Sequence, residues 1–105
     1  MEINRYITRG INESIPLEIQ ILIWDMVNLR DHHCTKETDY LHIFRLKQDD
    51  IALDIIHEQE KPAFKLETHY INYKNNEKAL PNKVYVIRED DVDAFYYVML
   101  LPEEY

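Results

Sequence analysis

The chain reads as an α+β domain: one long amphipathic helix packed on an antiparallel sheet of about five strands. Three observations predict it. Apolar residues recur at helical spacing between Pro16 and Arg30. From Tyr40 onward the period switches to two, the signature of half-buried strands. The strand-like segments follow one another through short turns with no second helical pattern between them, so a meander is the natural pairing. The 105 residues amount to one domain, with no room for a second core. Residues 1–15 are expected to form an N-terminal arm or strand, 16–30 the helix and 40–101 the sheet.

Arg5 to Thr8 reads as a short strand or extended arm ending at Arg9-Gly10. Gly10 is the only glycine in the chain, and a sharp reversal is expected there. At that corner Thr8 and Arg9 would either cap a neighbouring carboxylate or touch a partner, and the structural role is preferred. Pro16 suits the first turn of the helix, where its missing N–H costs nothing. Ser14 or Ile15 would sit at the cap, and Glu18 complements the helix dipole. On a helical wheel Ile19, Leu22, Ile23, Met26, Val27 and Leu29 form one apolar arc. Leu17, Ile21 and Trp24 form a second, narrower strip. A helix lying on a sheet needs only the first arc, so the second must meet the arm, a loop or another chain.

After the helix, Tyr40, His42, Phe44 and Leu46 share one face of a strand. Ile51, Leu53 and Ile55 follow, then Phe64, Leu66, Thr68 and Tyr70, then Val84 to Arg88. Val98 to Leu101 is apolar without alternation and fits a buried strand or a short helix. Turns are built from Asn, Asp and Pro, at 48–50, 73–76, 80–82 and 89–91.

Composition excludes several functions. Twenty acids against twelve bases give a formal charge of −8, so direct nucleic-acid binding through phosphate neutralisation is not expected. No apolar run approaches the roughly 18–20 residues of a membrane span, and the first residues lack a signal-peptide pattern. The lone cysteine, Cys34, fits a reducing compartment, and a cytoplasmic location is expected.

Motifs that carry chemistry are scarce. Asp31-His32-His33-Cys34 spells the tetrad of protein palmitoyltransferases, but without the other cysteines and membrane helices of that family the match is coincidental. The same residues are contiguous, so their side chains diverge and chelate poorly. His42, His57 and His69 fall on three strands, where a shared face would gather them, although unrelated positions are the commoner outcome. His57-Glu58-Gln59-Glu60-Lys61 lacks the second histidine of a zinc-protease helix. No metal site, cofactor or catalytic residue is therefore expected. Ser14 is the only serine and is explained by capping. Cys34 lies near Arg30, Lys36 and two histidines, which favours a thiolate, but no orienting third group marks it. One glycine rules out phosphate-cradling loops and dinucleotide fingerprints. The acids at 89–93 lack the glycine and ligand ladder of an EF-hand.

Charge patterning says more. Residues 49–60 carry −5 and residues 89–105 carry −6, with no base in either block, whereas residues 61–88 carry +4. Such blocks either solvate the surface or imitate phosphate for a basic partner. Eight tyrosines fill the sheet core with their hydroxyls at its rim or supply a protein-binding face.

The run Arg5-Tyr6-Ile7-Thr8-Arg9-Gly10-Ile11-Asn12-Glu13-Ser14-Ile15-Pro16 resembles the opening of a family of small Firmicute proteins. So do Trp24, Asp39-Tyr40-Leu41, the run Ile55 to Pro62 and the ending Met99-Leu100-Leu101-Pro102-Glu103-Glu104-Tyr105. That family is known as a domain of unknown function, nine-sixty in the usual numbering. The resemblance spans nearly the whole chain and implies a bacterial, cytoplasmic protein, at times borne by mobile elements. It supplies no catalytic residues.

The reading is a non-enzymatic protein–protein interaction or regulatory module. Its contact candidates are Arg9, Leu17, Ile21, Trp24, Glu89, Asp90, Asp91 and Asp93. The alternative is an acidic inhibitor that occludes a nucleic-acid-binding protein, of anti-CRISPR or anti-restriction type. A homodimer through the second helical strip is compatible with either, and a Cys34-dependent enzyme is the remaining reading.

Overall fold

The computed structural model describes residues 4–33, 39–71, 79–90, 92 and 94–105, without the side chains of His33 and Ile71. Cys34, Asp91, Asp93 and the expected turn at 73–76 lie outside the described residues. Strand β1 (Asn4–Ile7) leads into a short helix α1 (Arg9–Ser14) and the long helix α2 (Leu17–His33). Strands β2 (Leu41–Gln48), β3 (Ala52–Gln59), β4 (Phe64–Ile71), β5 (Lys83–Asp90) and β6 (Phe95–Leu100) follow, and a 3-10 turn spans Pro102–Glu104. Among the described residues these strands form one six-stranded sheet in the order β1-β6-β5-β2-β3-β4.

The α+β class and the long helix agree with the expectation, but the meander of about five antiparallel strands does not. The segment read as an arm is a sixth strand. It pairs in parallel with β6, Asn4 opposite Tyr96 and Ile7 opposite Met99. The hairpins β2–β3, β3–β4 and β5–β6 are antiparallel neighbours. After β4 the chain crosses back, so that β5 pairs with β2 rather than β4. That register sets His42 opposite Val86 and Phe44 opposite Val84, so the two central strands join their buried faces against α2. Alternation alone does not specify this order, because the same faces match in either arrangement.

The core lies between α2 and one face of the sheet. Ile19, Ile23, Met26 and Val27 pack with Phe44, Leu46, Leu53, Ile55, Val84, Val86, Tyr97 and Met99. Burying each such side chain stabilises the fold by about 1.5–3 kcal/mol. Leu29, at the margin of the core-facing arc, stays 51% exposed. The non-alternating end of β6 is a strand whose last residue, Leu100, is buried together with Leu101. Both faces are covered there because the chain turns under β5, where Tyr105 meets Tyr85 edge-to-face and its hydroxyl lies 2.7 Å from that of Tyr40.

The reversal expected at Gly10 is absent. Gly10 is helical, with no positive φ, and Ser14 ends α1 with Ile15 as its C-cap. Glycine instead leaves room for the end of the Glu104 side chain. The Glu104 carboxylate accepts hydrogen bonds from the Thr8 hydroxyl (2.6 Å), the Leu101 N–H (2.9 Å) and the Gly10 N–H (3.2 Å). These donors, Thr8 foremost, hold the Glu104 carboxyl below its ordinary range. Thr8 also caps α1 by accepting from the Ile11 N–H. A Cβ at position 10 would lie 2.7 Å from Glu104 Oε1.

A double-mutant cycle should expose this clasp. In the native chain, Gly10→Ala displaces the carboxylate and cancels its own gain in helix propensity. With Glu104→Ala already in place, the same change should stabilise by about 0.5–1 kcal/mol. Urea denaturation of the four proteins measures the coupling, and equal effects of Gly10→Ala in both backgrounds would refute the clasp.

Candidate functional site

The strand register gathers a polar network inside the apolar core. His42 on β2 and His57 on β3 both face α2 and are fully buried. His42 Nδ1 lies 2.8 Å from His57 Nε2. His57 stacks on Phe44, with ring centroids 4.3 Å apart, and meets the edge of Phe64. Its Nδ1 has no hydrogen-bond partner among the described residues. Gln59 approaches His42 Nε2 through its amide nitrogen at 3.4 Å and donates to the Asp39 carbonyl. Arg30 donates from Nε to Gln59 Oε1 (2.7 Å) and from Nη2 to the Pro62 carbonyl (3.0 Å), with its guanidinium over the Phe64 ring. The Tyr97 hydroxyl donates to Asp31 Oδ2.

Burial sets the protonation of this cluster. It pulls His42 down to about 4, helped by the Arg30 cation. It pulls His57 down to about 3, helped by His42 and Arg30. Tyr97 is pushed above its ordinary range by burial and by its bond to Asp31. At neutral pH the imidazoles are uncharged and the Tyr97 phenol keeps its proton, so the rings act as a hydrogen-bonded element of the core.

His69 does not join them. The register puts it opposite Asp54, on the face of the sheet away from α2. There His69 pairs with Asp54, and Glu67 completes a group whose ligand-type atoms lie within 4.8 Å of one another. Two of the three strand histidines therefore meet and the third faces away.

The sequence-derived contact candidates spread over several surfaces. Leu17 and Ile21, one turn apart on α2, are 70% and 51% exposed. Trp24, next along that strip, is half-buried beneath β1: the Arg5 guanidinium lies 5.9 Å from its ring centroid and donates to Asn28 Oδ1. Arg9 is exposed and pairs with Glu13 at 2.9 Å. Glu89 and Asp90 are exposed at the end of β5, and Asp90 accepts from Arg88. The acidic turn at Asp49 and Asp50 lies at the opposite end of the sheet, because Arg45 pairs with Lys83 and Leu41 with Ile87. Glu89 and Asp90 therefore do not converge with Asp49 and Asp50. Between them, Arg45 pairs with Glu58, and Lys47 stands opposite Asp54.

Sequence reasoning weighed a shared face for His42, His57 and His69 and favoured unrelated positions. The structure instead buries His42 against His57. The signal was present, because His42 alternates in step with Phe44 and Leu46, and His57 in step with Leu53 and Ile55. Sequence reasoning passed over a cleft of about 260 Å³ between α2 and β4, lined by Met26, Leu29, Arg30, Phe64 and Leu66. Nothing in the local sequence marks that cleft, because it depends on which strand ends the sheet.

Fold and surfaces together define a small α+β protein with one helical layer on a mixed sheet, and among the described residues no helix is long and apolar enough to cross a membrane. The chain belongs to the family described as staphylococcal protein of unknown function (DUF960), whose model matches residues 4–104. Among solved structures it is similar to a protein of unknown function from Enterococcus faecalis. The TM-score is 0.76 at 21% identity, covering 98% of this chain and 91% of the other. That likeness is one of fold. No curated protein matches the chain.

Proposed function

We propose that this chain is a non-enzymatic protein-interaction module whose docking surface is the outward strip of α2. The observation that carries the reading is the exposure of Leu17 and Ile21 on a helix whose core arc already fills the sheet interface. Two large aliphatic side chains one turn apart form the kind of anchor pair that a partner's apolar groove accepts. Trp24, partly covered by Arg5, would border the contact.

The test is a pull-down from a lysate of the native host at low and high salt, comparing the chain with its Leu17→Glu/Ile21→Glu variant. A partner held through the strip should persist at high salt, because apolar contacts are not screened, and should be lost with the variant. A basic partner that is released by salt and indifferent to the variant would overturn the strip in favour of the acidic surface.

A further inference from the structure

Strand β4 closes the sheet on the side away from β1, and among the described residues it pairs only with β3. Among the described residues, the stretch Phe64–His69 of β4 has a strand partner on its β3 side alone, so its outward backbone N–H and C=O groups form a sheet edge. Natural edges are commonly blocked by charge, and β4 carries Lys65 and Glu67 on the face away from α2. Their signs are opposite, and they flank Leu66, which is 42% exposed on the helix face. Leu66 and the half-exposed Leu29 border the cleft between α2 and β4.

We infer that two copies of this chain pair antiparallel through their β4 edges, about a two-fold axis at Leu66, joining two sheets into one. This self-pairing is separate from the α2 strip and does not depend on it. An antiparallel pair places residues of the same face opposite each other, so only registers centred on a residue are open. Centred on Leu66, Lys65 of each copy stands opposite Glu67 of the other, giving two oppositely charged cross-strand pairs. Leu66 meets its own counterpart beside the two Leu29 side chains. Centred on Lys65 or Glu67, like charges coincide at the axis, which disfavours pairing. Centred on Thr68, Glu67 faces a His69 already engaged by its own Asp54. Charge complementarity and apolar contact therefore select the same register, and the isologous contact closes as a dimer.

Sedimentation velocity across a wide concentration range tests this. The expected result is reversible self-association of the full chain. Lys65→Glu or Glu67→Lys alone should weaken it roughly ten- to thirtyfold, because two attractive pairs become repulsive, and Lys65→Glu/Glu67→Lys together should restore it. Both side chains are exposed, so circular dichroism should show each variant folded. A chain that remains monomeric at every concentration overturns the inference. So does an association that ignores both single charge changes, including one that Ile21→Glu abolishes instead.

Discussion

Between pH 7 and pH 5 the protein should lose roughly 4 kcal/mol of stability to two buried imidazoles. The folded state holds His42 at about 4 and His57 at about 3, against 6.5 in an unfolded chain. Below pH 6.5 the unfolded state binds protons that the folded core refuses, so acid favours unfolding. The contribution is fully present above 6.5 and is lost as pH falls toward those folded values. Each ring contributes about 2 kcal/mol of the difference. Urea denaturation at pH 7, 6 and 5 measures it. His57→Leu, close in volume and surrounded by Phe44 and Phe64, should roughly halve the slope while leaving surface charge effects in place. The difference between the two proteins therefore isolates the ring. A wild-type stability unchanged from pH 7 to pH 5 would show that the pair accepts protons without cost, and the buried-network account would fail.

How far this arrangement was legible in the sequence depends on the range of the interaction. The helix was legible because Ile19, Ile23, Met26 and Val27 repeat at its own period. The inward face of β2 was legible for the same local reason, His42 included. The six residues of α1 were not, since one buried side chain, Ile11, sets no period. Gly10 misled because a glycine before a helix usually marks a reversal, whereas this one makes room for a carboxylate 94 positions away. Strand order was the largest omission. Alternation states which face of a strand is buried and is silent on its neighbour, so the β5–β2 pairing, the parallel β1 and the place of β4 at the end of the strand order emerge only in three dimensions. The exposed pair Leu17 and Ile21 was visible as surplus apolar surface, but the cover that β1 provides for Trp24 was not predictable in extent.

Phe44→Ala should cost about 3–5 kcal/mol at neutral pH, and it should also change how the protein responds to acid. The direct cost follows from truncating a fully buried ring at the centre of the core. The second effect follows from what that ring covers: it lies nearly parallel to His57, at an interplanar angle of 14°. Removing it opens a void beside an imidazole whose Nδ1 has no hydrogen-bond partner among the described residues. A void bordered by a polar atom is one that water enters, unlike a purely apolar cavity. Hydration would relieve the burial that holds His57 low, so its titration should rise toward the ordinary 6.5. The stability lost on going from pH 7 to pH 5 should then shrink by up to about 2 kcal/mol. Phe44→Leu is the companion variant: it leaves too little space for water, costs roughly 1–2 kcal/mol and should keep the wild-type pH slope. The paired result is read from urea denaturation at both pH values and from NMR titration of the His57 ring. If Phe44→Ala lowers stability but leaves both the slope and the His57 titration unchanged, the aromatic cover is not what keeps that ring neutral. The Arg30 guanidinium and His42 would then have to supply the shift by charge alone.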